Sequence, residues 1–162
     1  MNDGVRRGVT RGYVGGLLAA TLIAAMALLV AAWGGLTLML DREPVNESGV
    51  PVSAAPLLVL GLLALLGWLL WRGAIVLLRG RKAPSWDLIL MAGGLAYLVW
   101  CLGGLLCGMP VGDTFASPFA GALAVIWGLV SLLFWIVLAR RVYTDRATPR
   151  WPWERHEDSG AE

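Results

Sequence analysis

The chain has 162 residues, of which 58% are hydrophobic and 15% charged. Soluble domains carry about 25% charged residues, so this composition excludes an ordinary water-soluble core. The net charge is +2, and the basic residues flank apolar runs. That placement argues against nucleic acid as a partner.

Four stretches lack any charge: Tyr13–Leu40, Ser48–Trp71, Leu88–Gly112 and Thr114–Ala139. About twenty apolar residues cross the roughly 30 Å hydrocarbon core as a helix. The runs lack the alternation of barrel strands. Helices are then the way to satisfy the backbone in lipid. The expected fold is all-α, an integral membrane four-helix bundle and one domain over 1–162. Its expected spans lie at about 13–40, 56–78, 86–107 and 117–139, with a polar C-terminal tail over 140–162.

In chain order, the basic start with Arg6, Arg7 and Arg11 resembles the head of a signal peptide. The apolar run behind it is far longer than the 7–15 residues or so of a signal core, so it is read as the first span. At full helical length it exceeds the hydrocarbon thickness, which predicts tilt or projection beyond one face. An irregular loop from Asp41 to about Ala55 follows. Pro56 is expected at the first helical position of span two, where a missing N–H costs nothing.

Arg72 falls one to two turns before the end of that span. The basic Arg79–Lys82 stretch then leads to Ser85, the expected N-cap of span three. Asp87 belongs to the first helical turn, where a carboxylate suits the positive end of the dipole. Cys101 and Cys107 are six residues apart on the expected third helix, about 9 Å along the axis, so an internal disulfide is excluded. A loop over 108–116 carries Asp113. Ser117 and Pro118 read as N-cap and first helical residue of span four. Arg140 and Arg141 close that span.

Basic residues fix the expected orientation. Twelve belong to the N-terminal tail, the Arg72–Lys82 region and the C-terminal tail, whereas the opposite face has Arg42 alone. Positive charge stays on the cytoplasmic side. Four spans in the cell (inner) membrane, with both termini cytoplasmic, satisfy this bias. Aromatic residues are expected to form two headgroup belts. Tyr13, Trp68, Trp71, Trp86, Trp135, Tyr143, Trp151 and Trp153 belong to the inner one or lie just beyond it, and Trp33, Trp100, Phe115 and Phe119 belong to the outer one. Trp127 fits neither and is expected between helices.

Small residues form rows: Gly16, Ala20, Ala24, Ala27, Ala31 and Gly35 on span one; Ala120, Ala124, Gly128 and Ser131 on span four. Gly104 and Gly108 make a GxxxG pair. Such rows let helix backbones approach closely in lipid. They suit packing within the bundle, or a face that docks another membrane protein or a second copy.

Five residues are candidate interaction or lipid contacts: Arg72, Asp87, Asp113, Trp151 and Trp153. Arg72 suits snorkelling, a pair with Asp87, or a contact with substrate or lipid headgroup. Asp113 reads as a solvated loop charge. His156 has no metal-ligand spacing around it. Trp151 and Trp153, among arginines, suit an anionic membrane surface. The span centres hold no acid, base, asparagine or glutamine, which weakens proton-coupled carrier, haem and enzyme readings.

The stretch Arg150-Trp-Pro-Trp-Glu-Arg155 after a fourth span resembles the C-terminal end of small, uncharacterised four-span membrane proteins of actinobacteria. That resemblance implies the class and no site. The expected protein is non-catalytic and without cofactor or metal. It is expected to act as an accessory or interaction subunit of a membrane complex. The alternative is a small oligomeric transporter or channel component.

Overall fold

A computed structural model describes residues 11–43, 45, 50–51, 53–78 and 86–143. Its helices are α1 (Arg11–Leu40), α2 (Ala54–Leu78), α3 (Trp86–Leu106), α4 (Val111–Thr114) and α5 (Pro118–Tyr143). All but α4 are long and apolar enough to cross a membrane. The described residues are all-α, and these four helices overlap the four expected spans. Ser85, the Arg79–Lys82 stretch, His156, Trp151 and Trp153 lie outside the described residues.

Helix starts follow the backbone groups that need partners. α2 begins two residues before Pro56, because the Ala54 amide reaches the Pro51 carbonyl at 2.9 Å and the Leu57 amide the Ser53 carbonyl at 3.1 Å. Pro56 is therefore the third helical residue, not the first. Its missing N–H is still one of the four that no intrahelical carbonyl serves. α5 begins at Pro118 as expected, with the Gly121 amide on the Ser117 carbonyl at 3.2 Å. It runs past Ala139 to Tyr143, and Arg140 and Arg141 in its last turn suit the negative end of the helix dipole.

The Gly104/Gly108 pair does local work. Gly108 has φ +85°. Its amide bonds the Leu105 carbonyl at 3.0 Å, and the Met109 amide bonds the Gly104 carbonyl at 2.9 Å. Together they make a Schellman cap, which needs a left-handed residue just past the helix. A Cβ on Gly104 would sit 2.7 Å from Thr114 Cγ2 and 3.1 Å from Met109 Sδ. The GxxxG spacing thus ends α3 and seats α4 against it. The stretch 108–116, expected to be a loop, contains the single turn of α4.

Successive long helices alternate in direction. Arg141, near the end of α5, lies over Tyr13, near the start of α1. Trp33, late in α1, meets Phe119, early in α5. Gly73 faces Leu88, and Gly103 faces Leu58, so α2 and α3 are antiparallel. The helices close a ring in the order α1, α2, α3, α5, with α2 and α5 also touching across it. The start of α1, the end of α2, the start of α3 and the end of α5 share one end, called here the basic end. Asp41, Arg42, Glu43 and α4 share the far end.

The core is apolar and centred on α5. Leu62, Leu66, Leu70, Ala96, Trp100, Leu123, Trp127 and Val130 are fully buried. α3 and α5 approach most closely. A Cβ on Gly93 would sit 2.9 Å from the Ala124 carbonyl oxygen. The α5 row explains this fit: Ala120 and Ser131 are buried, while Ala124 and Gly128 are partly so. The α1 row faces outward. All six of its residues are exposed, and nothing lies within 4 Å of a Cβ placed on Gly16 or Gly35.

Candidate functional site

The threonine and serine hydroxyls of the long helices are satisfied within their own helix. Thr21, Thr37 and Ser131 each donate to the carbonyl four residues back, at 2.7, 2.9 and 2.7 Å. This back-bonding leaves no hydroxyl proton for another acceptor. Trp127 Nε1 donates to the Leu62 carbonyl at 3.4 Å, a bond between α5 and α2. The expectation that Trp127 packs between helices holds.

Most of the far-end aromatics turn inward. Trp33 and Trp100 meet edge-on with centroids 5.0 Å apart, and Trp33 meets Phe119 at 6.2 Å. Trp33 Nε1 also donates to the Phe119 carbonyl at 3.1 Å. Trp100 and Phe119 are buried. These residues therefore lock α1, α3 and α5 together instead of forming the expected outer belt, and Phe115 is the exposed one of the group. Each edge-on pair adds about 1 kcal/mol beyond its buried area. Trp100 Nε1 is buried without an acceptor among the described residues. Below the cluster, Tyr97 Oη donates to the Phe115 carbonyl at 2.6 Å and Cys101 Sγ to the Thr114 carbonyl at 3.4 Å. Cys101 and Cys107 form no disulfide. The backbone of Asp113 is helical, in α4, instead of a loop.

The basic end is organised differently. Of the aromatic residues expected in the belt at this end, Trp68, Trp71 and Trp86 are exposed on the outer surface, whereas Tyr13 and Trp135 are half-buried. Arg72 is exposed beside them. Its guanidinium carbon lies 5.0 Å from the centroid of the Trp68 ring. The contact follows from helix geometry, because side chains four residues apart share a face and lean toward the helix N-terminus. In α2 that lean points from the basic end toward the middle of the span. Arg72 does not pair with Asp87, which is exposed in the first turn of α3. Of the five candidates, the structure brings Arg72 and Asp87 to one end and sets Asp113 at the other. Trp68, the partner of Arg72, reads from sequence as a belt residue only, although the four-residue spacing announces the contact.

Among the described residues no three His, Cys, Asp or Glu side chains cluster. What the site offers is an arginine on an indole face at the rim of a wide apolar surface. No curated protein and no solved structure matches the chain. A family model does match, over residues 13–160. The chain belongs to that family, DUF6121, a family of unknown function.

Proposed function

We propose that this protein is a non-catalytic interaction subunit of a membrane complex, and that α1 is the helix on which a partner's transmembrane helix docks. One observation carries the reading: α1 leaves its small-residue row uncovered, whereas α5 buries most of the same kind of row inside the chain. Only 22% of the apolar stretch of α1 is buried, against 44% for α5. Association in lipid depends on close backbone approach, because apolar side chains gain nothing by leaving apolar lipid. A face built for such approach and left open suits a partner helix better than lipid chains.

The orientation follows from charge. The chain sits in the inner membrane with the basic end in the cytoplasm. Reporter enzymes active only outside the cytoplasm test this. Fusions after Glu43 are expected to be active, and fusions after Arg81 inactive.

A photo-crosslinking residue at Ala24 or Ala27, in cells, tests the docking reading. A discrete adduct with another membrane protein is expected from α1, and none from the exposed Leu60 of α2. With the crosslinker at Ala24, Ala27→Leu should abolish the adduct without unfolding the chain. Adducts with a second copy alone, together with ion or solute flux in vesicles containing only this chain, would replace the reading with an oligomeric transporter.

A further inference from the structure

We propose that Arg72, Trp68 and Trp71 form a binding site for the phosphate of an anionic phospholipid in the leaflet at the basic end. Three observations converge on it.

The first is depth. Gly73 faces Leu88, so Arg72 is level with the first turn of α3, about one turn inside Trp86. α3 has 21 residues, about 32 Å of helix, close to the thickness of the hydrocarbon core. The level of Arg72 is therefore where headgroup gives way to hydrocarbon.

The second is direction. Arg72 is on the outward face of α2, with Trp68 53% and Trp71 38% exposed beside it. A group arriving at this face comes from the bilayer. The lean over Trp68 keeps the guanidinium on that same bilayer-facing surface.

The third is charge. Trp68 meets the ring-facing side of the guanidinium, and no carboxylate among the described residues pairs with its N–H edge. A cation at this depth calls for a counter-charge. A phosphodiester supplies two anionic oxygens, which the planar guanidinium grips through parallel hydrogen bonds. Among the described residues the Trp71 indole N–H has no hydrogen-bond partner, and it is one residue away to donate a third. Arg140 and Arg141 share this end. A zwitterionic lipid would bring its own cation into that field, which favours a lipid with net negative charge.

The test uses the full chain in nanodiscs of phosphatidylcholine with a minor fraction of phosphatidylglycerol. Lipids retained by the protein on transfer to mild detergent are counted by native mass spectrometry. A basic residue at an anionic surface gives about a fivefold preference. The wild-type chain is expected to retain phosphatidylglycerol at about that ratio over its bulk fraction. Arg72→Gln should bring the ratio to about one, Arg72→Lys should keep part of it, and Asp87→Asn should leave it unchanged or raise it. Trp71→Phe should lower it without changing the fold, checked by helical circular dichroism. Undiminished enrichment in Arg72→Gln would assign the effect to the other arginines and overturn the site. So would equal retention of both lipids by the wild-type chain.

Discussion

α1 and α5 carry the same kind of small-residue row, and the fold puts the two to opposite uses. On α5, Ala120, Ala124, Gly128 and Ser131 receive α3 so closely that Gly93 has no room for a Cβ beside the Ala124 carbonyl. On α1, Gly16 through Gly35 look outward. A small-residue row states that a backbone could come close. It does not state whether that backbone belongs to the same chain. The α5 row is a folding determinant and the α1 row is an available surface, so substitutions should separate them by what fails.

The largest effect is expected at the α3–α5 contact. In Gly93→Leu the new side chain meets backbone, which cannot move aside as a side-chain tip would. A loss of about 3 kcal/mol or more is expected, the upper range for overpacking. Reversible unfolding in mixed micelles measures it. The neighbouring Gly94 has nothing within 4 Å of a Cβ, so Gly94→Leu should leave stability unchanged. Equal losses at the two positions would show that the α3–α5 approach is not what holds the core.

Ser131→Leu is expected to come next, at about 2 kcal/mol, because Ser131 is fully buried and a larger side chain must displace its neighbours. The matching change on α1, Ala27→Leu, should cost nothing in unfolding and act only on partner crosslinking. If Ala27→Leu unfolds the chain as readily, α1 packs inward and the contrast between the helices collapses.

Number and approximate bounds of the long apolar helices were legible in sequence because lipid sets one demand, an unbroken apolar length, and composition reports it directly. Which face of each helix points inward was not legible. Trp33, Trp100 and Phe119 read as an outer belt because tryptophan favours headgroups, yet the structure buries the latter two and bonds Trp33 to the Phe119 carbonyl. When both the outside and the inside are apolar, hydropathy cannot tell them apart. The Gly104/Gly108 pair failed for a related reason: the same spacing suits a helix crossing and a Schellman cap, and only the positive φ of Gly108 separates them. Arg72 was legible as a candidate because one charge in an apolar run needs no context. Its partner Trp68 needed only the helical spacing.

The cap itself gives a smaller effect. Gly108→Ala places a Cβ at φ +85°, with open space around it. The cost is then conformational alone, about 1 kcal/mol. It should appear as fraying at the end of α3, read by hydrogen exchange at the Met109 amide, with α1 unaffected.

The smallest effect sharpens the comparison most. Ser131→Ala removes a hydroxyl that donates to the Trp127 carbonyl in its own helix. That carbonyl already has the backbone N–H of residue 131 as its helical partner, so nothing buried is orphaned when the hydroxyl goes. Hydrogen bonds in membrane proteins contribute about 0.6 kcal/mol on average, and a back-bond within one helix should fall below that. A loss within about 0.5 kcal/mol, beside the much larger loss for Ser131→Leu, would show that α5 needs the smallness of Ser131 and not its polarity. A larger loss for alanine would mean that the hydroxyl bridges to another helix, and the α5 row would then be a polar contact instead of a steric one.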